Sequence, residues 1–162
     1  MSELNPYAKF LDGRPVETIL RATPAVITGL IETMGPVKAS TPPAPGKWSA
    51  AEIVCHLADC DLAFGFRLRQ TLAEDNYVIQ PFDQEKWSAV YAGVSAEEAL
   101  AAFQALRAWN LRLLGTALPS AADKSVTHPE RGTMTFLTIA ETMAGHDLNH
   151  LGQLRKLADR PH

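Results

Sequence analysis

The feature that most restricts what this chain can become is a stripe near its C-terminus that mixes aliphatic side chains with two imidazoles. Ile139, Met143, His146, His150, Leu154 and Leu157 recur at steps of four, three, four, four and three, the period of a helix face turned toward a core. His146 and His150 are four apart, so on a helix they stack on that face with Cβ atoms about 5–6 Å apart. Whatever packs on the stripe must satisfy their ring nitrogens, since a buried unsatisfied polar group costs roughly 1–3 kcal/mol. A divalent cation bound between them would do so, neutral imidazole being the commonest protein metal ligand. Two hydrogen-bonded core histidines would do so as well, and an isolated His-x-x-x-His also recurs by chance on solvated helices.

Three further helices are expected. The first covers about residues 15–34, with Val16, Ile19, Leu20, Thr23, Val26, Ile27, Leu30, Ile31 and Met34 as its apolar side. Pro24 leaves it either kinked or divided at Thr23-Pro24, and a short helix at 5–11 precedes it. Residues 35–48, with Gly35, Pro36, Pro42, Pro43, Pro45 and Gly46, read as a stiff loop. Ser49 and Glu52 form a capping box that opens the second helix, expected to run to about Glu74 with Ile53, Leu57, Cys60, Phe64 and Leu68 on its core side. Ser95 and Glu98 form another, opening the third helix, which runs to about Ala117 with Ala99, Phe103, Leu106, Asn110, Leu113 and Ala117 giving its period and Pro119 just beyond its end. Residues 118–133 read as a loop, and the fourth helix covers about Thr133 to Leu157. The segment 75–94 is long for a helix–helix hairpin, which usually needs roughly 2–8 residues. It suits a crossover along the bundle that starts a helix parallel to the last one. Without strand-like alternation or internal repeats, the chain reads as all-α, a four-helix bundle.

At 162 residues the chain is one domain, 1–162, long enough for a real core. Apolar residues make up 46% and charged residues 20%, a soluble globular balance. The net charge of −3 and the lack of a Lys/Arg cluster argue against a nucleic-acid surface. No run approaches the roughly 18 apolar residues of a membrane span, and the first ten residues show no signal-peptide core. Cys55 and Cys60, five apart on one helix, diverge too far to bridge locally. A reduced, cytoplasmic protein that binds neither membrane nor nucleic acid is the expectation.

A metal site needs more than two ligands. Among the other histidines, His162 ends the chain, where fraying is usual, and His128 precedes a proline in a loop. His56 lies inside the second helix beside the core residue Leu57. Bundles build metal sites from inward side chains on facing helices, so His56, His146 and His150 form the expected ligand set. Three nitrogens at about 2.0–2.1 Å with one position left to water is the layout of a catalytic zinc site. Nickel and iron also accept imidazole. The His-Glu-x-x-His motif is absent, since residue 147 is Asp and residue 148 is Leu, so the usual metalloprotease base is missing.

These residues carry a resemblance. The run Lys47-Trp48-Ser49 with Glu52 to Asp59, the run His128-Pro129-Glu130-Arg131-Gly132, and the run Ala144 to Gln153 together resemble the DinB/YfiT-like superfamily of bacterial four-helix proteins. The resemblance covers most of the chain. It implies an up-down-down-up bundle, frequent homodimers, and a divalent metal held by His56, His146 and His150. It also implies a small-molecule substrate and, in characterised relatives, S-transferase or isomerase chemistry on low-molecular-weight thiols such as bacillithiol or mycothiol.

Around the ligands, Asp59 lies three after His56 and is the best candidate for an assisting group: a hydrogen-bond acceptor behind the ligands, a proton shuttle or a fourth ligand. A boundary carboxylate without a role is the plain alternative. Gln153, three after His150, is placed to orient a ligand or to pack at the core edge. Asp147 and Asn149 are expected to face solvent or a dimer contact. Trp48, Trp87 and Tyr91 either line a pocket mouth or plug an end of the bundle, and His128 packs in its loop. Neither cysteine has an evident activating neighbour, which argues against a thiol nucleophile. The function expected is a metal-dependent enzyme that activates a thiol or water for transferase or hydrolase chemistry on a small molecule. The rival is a non-catalytic stress-response binding or interaction bundle with structural histidines or an inert metal.

Overall fold

The chain's computed structural model describes residues 4–161, and His162, expected at a frayed end, lies outside the described residues. A 3-10 turn at Ala8–Phe10 leads into helices α1 (Val16–Ser40), α2 (Ala50–Ala73), α3 (Gln84–Ser88), α4 (Ala96–Ala121) and α5 (Phe136–Ala158), with a hairpin of β1 (Ser125–His128) and β2 (Gly132–Thr135) before α5. The four long helices are the four expected from the sequence. Both capping boxes form as read: Ser49 with Glu52 on α2, Ser95 with Glu98 on α4.

Several boundaries differ for local reasons. Pro24 does not divide α1. It lacks the N–H that would bond to the Leu20 carbonyl, and that carbonyl instead accepts from Arg107 Nη1 at 3.1 Å. A side chain of α4 thus replaces a missing backbone donor of α1. The first long stretch of α1 ends at the expected place: Gly35 breaks the helix at φ 69°, ψ 167°, backbone that glycine adopts most readily. Pro36, with φ preset for a helix, begins the closing turn. Pro119 lies inside α4 rather than beyond it. The expected loop at 118–133 contains the antiparallel hairpin, paired from Ser125↔Thr135 to His128↔Gly132.

The ends of the helices join two apolar clusters. Ile19, Leu20, Phe64, Leu68, Leu114, Phe136 and Ile139 share one; Met34, Ala39, Ile53, Val54, Ala99, Phe103 and Leu154 share the other. The starts of α1 and α5 therefore lie at the end where α2 and α4 finish. The connection between α2 and α4 returns along the bundle, with Tyr77 and Ile79 in the first cluster and Tyr91 in the second. It is pinned to the hairpin on the way, as Ile79 N–H donates to the Thr127 carbonyl at 2.9 Å and Thr127 N–H to the Tyr77 carbonyl at 3.0 Å.

Between the clusters a charged knot joins four helices. Arg107, only 1% exposed, donates through Nε and Nη2 to Asp61 at 3.1 and 2.7 Å, and through Nη1 and Nη2 to Asp147 at 2.6 and 3.0 Å. With the Leu20 carbonyl, all five guanidinium N–H groups are used. Asn110 Nδ2 adds bonds to the Asp61 carbonyl and carboxylate at 2.7 and 3.0 Å. Burial alone would lower the Arg107 pKa, but the two carboxylates outweigh it and hold the guanidinium charged. The expectation that Asp147 faces solvent or a dimer contact is corrected: at 1% exposure it is a core anion, because α5 buries more than one face. The inward face of α4 is likewise Ala99, Phe103, Arg107, Asn110 and Leu114, with Leu106 and Leu113 only half-buried.

Candidate metal centre

His56 comes from the second turn of α2, which the Ser49–Glu52 capping box fixes in register. His146 and His150 come from the middle of α5, the four-residue step placing both rings toward α2. The three Nε2 atoms converge. His56 Nε2 lies 3.0 Å from His146 Nε2, which lies 3.1 Å from His150 Nε2. Among the described residues these three buried side chains form a group of donor atoms close enough to share one ion.

The donor chemistry fits a cation. Nitrogens bound to one ion at about 2.0–2.1 Å stand roughly 2.9–3.4 Å apart for angles between right and tetrahedral. Gln153 Oε1 lies 3.0 Å from His150 Nδ1. As an acceptor it holds the proton on Nδ1 and leaves the Nε2 lone pair facing the cluster. Burial, and then the charge of His150, lowers the His56 pKa to about 4. Burial likewise lowers His146 and His150, so all three rings are neutral and offer lone pairs at physiological pH. One ring N–H cannot satisfy two facing lone pairs, whereas a divalent ion satisfies all three.

The surroundings close most of the site. Trp48 packs on His56 with ring centroids 5.0 Å apart. Tyr91 meets Trp48 at 6.1 Å and donates its hydroxyl to Asp59 at 2.6 Å. Asp59 thus reaches His56 through two aromatic rings, and the donor group close enough to share an ion does not include it. Tyr7 packs edge-on against His146 at 5.2 Å. Gly145 explains how the N-terminal segment comes so near, since a Cβ there would lie 2.6 Å from the Tyr7 carbonyl oxygen. A cavity of about 220 Å³ reaches His146 between Tyr7, Cys60, Phe64, Arg67 and His128. Trp87 lies apart, stacked on Phe82 at 4.6 Å. His128 is buried in β1 and lines this cavity, with Nδ1 accepting from the Glu130 N–H at 3.2 Å.

Cys60 is the residue at the site that sequence reasoning missed. Its Sγ lies 3.6 Å from His56 Nε2 and 3.8 Å from His146 Nε2. Its place four residues after His56 is the signal that could have found it. Burial, with the nearby Asp61 carboxylate, raises its pKa. Cys55 is also raised by burial, to about 11.

Comparison with known proteins places the chain in a family. The DinB superfamily model matches residues 19–154. A protein of Oceanobacillus iheyensis, provisionally named a metal-dependent hydrolase, is 25% identical over 99% of this chain and 98% of its own. YfiT of Bacillus subtilis, with a provisional name of the same kind, is 26% identical over 88% of this chain and 82% of its own. The solved structure of YfiT, described as having an unusual four-helix bundle topology, superposes with a TM-score of 0.79 at 24% identity, covering 88% of this chain and 83% of that one.

Proposed function

The chain belongs to the DinB superfamily, and from that premise we propose that it is a metal-dependent hydrolase of a small molecule, with His56, His146 and His150 as the ligands. One observation carries the reading: three neutral imidazole nitrogens converge, and one of the three rings, His146, lines a cavity large enough for a small substrate. Zinc or nickel suits three nitrogen donors, and iron is also compatible. A divalent ion held by His56, His146 and His150 would supply Lewis acidity, lowering the pKa of a water or thiol and offsetting the charge that develops.

The chain's own residues do the rest. Gln153 fixes the tautomer of His150. Trp48 covers the His56 ring, and Tyr7 packs edge-on beside His146 at the cavity. The Asp61–Arg107–Asp147 knot holds α2 and α5, which carry the ligands, against α4. Asp59 acts as a positioning residue, holding Tyr91 against Trp48 and so the wall over His56.

A low-molecular-weight thiol is the second nucleophile that the same open position would admit, giving S-transferase in place of hydrolase chemistry. A homodimer in the cytoplasm, without nucleic-acid or membrane partners, completes the proposal; no helix among the described residues is long and apolar enough to cross a membrane. The test is cobalt substitution: imidazole, azide and small thiols should each shift the visible spectrum. A spectrum indifferent to all of them would mean a closed structural ion and refute the enzyme.

A further inference from the structure

The cavity beside His146 is lined by two guanidinium groups that the histidine cluster does not use. Arg67, on α2, lies against the rings of Phe64 and Phe82 at 5.8 and 5.5 Å. Among the described residues it makes one hydrogen bond, from Nη2 to the Gln80 carbonyl at 3.3 Å, which leaves most of its five donors without an acceptor there. Arg131 stands at the hairpin turn His128-Pro129-Glu130-Arg131-Gly132, where Gly132 takes φ 89° to close the turn. Among the described residues neither Arg67 nor Arg131 forms an ion pair, and Glu130, the carboxylate lining the same cavity, is already partnered.

The contrast with Arg107 is informative. There the protein encloses a guanidinium and meets all five donors with two carboxylates and a carbonyl. At the cavity two guanidiniums share one lining, and among the described residues neither is enclosed by a pair of carboxylates. Burial lowers the Arg67 pKa, and the like charge of Arg131 lowers it further. Two cations that line one cavity, Arg67 against aromatic faces, are stabilised by an anion that enters beside them.

We propose that this cavity is the substrate-recognition pocket and that Arg67 and Arg131 select a small molecule bearing a carboxylate, with its apolar part against Phe64 and Phe82. This rests on the reading of the cavity as the approach to the metal. Carboxylate is the fitting oxyanion because the guanidinium fork matches it in a planar, bidentate way. At about 220 Å³ the cavity falls below the roughly 300–1,000 Å³ of a drug-sized pocket, so the substrate is a compact acid. The hairpin then serves recognition, because it carries Arg131 and His128 to the rim.

The test titrates the metal-loaded protein with 4-fluorobenzoate and with neutral 4-fluorobenzamide, read by fluorine NMR. Benzoate should bind and benzamide should be weaker by about 10-fold or more, as expected when charge-assisted hydrogen bonds are lost. Arg67→Gln and Arg131→Gln should each weaken benzoate by roughly 5- to 50-fold without changing metal content. If Arg67→Gln fails to fold, Arg131→Gln at the turn decides. Equal binding of the two probes, or unaltered benzoate affinity in Arg131→Gln, overturns the proposal. A His146→Ala arm separates the two readings. Arginine-dependent benzoate binding that survives there supports the carboxylate pocket whatever the metal result. Binding that vanishes there while the arginine variants bind normally makes the metal the receptor and overturns this inference alone. A wild-type protein that takes up no metal but binds benzoate through its arginines refutes the hydrolase reading alone.

Discussion

Replacing Arg107 with methionine should be the most damaging single substitution outside the metal ligands. The side chain is 1% exposed, bonds two carboxylates that are 2% and 1% exposed, and caps the carbonyl that Pro24 leaves free. Methionine fills similar space but supplies no donor. Asp61 would keep its Asn110 bonds, while Asp147 would lose the partner that neutralises it. Breaking a buried ion pair from one side costs about 3–5 kcal/mol, and leaving a buried carbonyl unmet adds about 1–3 kcal/mol. Against a typical domain stability of roughly 5–15 kcal/mol, a loss on the order of 4–8 kcal/mol is most of the fold. Urea unfolding followed by circular dichroism should show a midpoint lower by about 2 M or more, taking a slope near 2 kcal/mol per molar. The triple change Asp61→Asn, Arg107→Met, Asp147→Asn should be less damaging than Arg107→Met alone, because it removes the stranded charges with their partner. An Arg107→Met loss below about 1 kcal/mol, or a triple variant worse than the single one, would refute the assignment of the knot as the charge-balanced tie between helices.

Three other outcomes are expected. Gln153→Ala should weaken metal affinity by roughly 10–100-fold, the usual effect of losing the group behind a ligating histidine, and a competitive chelator titration reads it directly. Metal uptake should persist below pH 6.5, the ordinary imidazole value, and be lost only at lower pH. Protons compete for the lone pairs below the pKa of the folded ring, and burial has moved His56 from its ordinary 6.5 to about 4; loss of metal near pH 6.5 would show solvated imidazoles instead. Gly145→Ala should displace the Tyr7 segment from α5, since its Cβ would lie 2.7 Å from the Tyr7 Cβ. Faster hydrogen exchange confined to residues 4–11 would report that displacement, and unchanged exchange would contradict it.

Much of the bundle is legible in the sequence because its signals are local. The Ser49–Glu52 and Ser95–Glu98 capping boxes place two helix starts to the residue, and the stripe through His146 and His150 states which face of α5 is buried. His56 is legible as a partner because it adjoins the core residue Leu57 within a helix. What escapes depends on neighbours distant in sequence. Asp147 reads as facing solvent or a dimer contact, since nothing local shows that it meets Arg107, 40 positions away. The hairpin escapes because its strands have four residues each, too short for alternation to stand out, and because part of its support is the bond from Ile79 in the crossover. Gly35 followed by Pro36 does stop the first helix as read, and what escapes is the further helical turn that Pro36 starts on the other side of the kink.

The convergence of His56, His146 and His150 on one ion is tested most directly by metal content. Protein purified without an affinity tag, and its His56→Ala, His146→Ala and His128→Ala variants, should be compared by mass spectrometric elemental analysis after checking each fold by circular dichroism. The geometry predicts about one zinc, nickel or iron per chain in the parent and in His128→Ala, and none in stoichiometric amount in His56→Ala or His146→Ala. Equal metal in all four proteins, or a metal-free parent after incubation with zinc and with nickel, would contradict it.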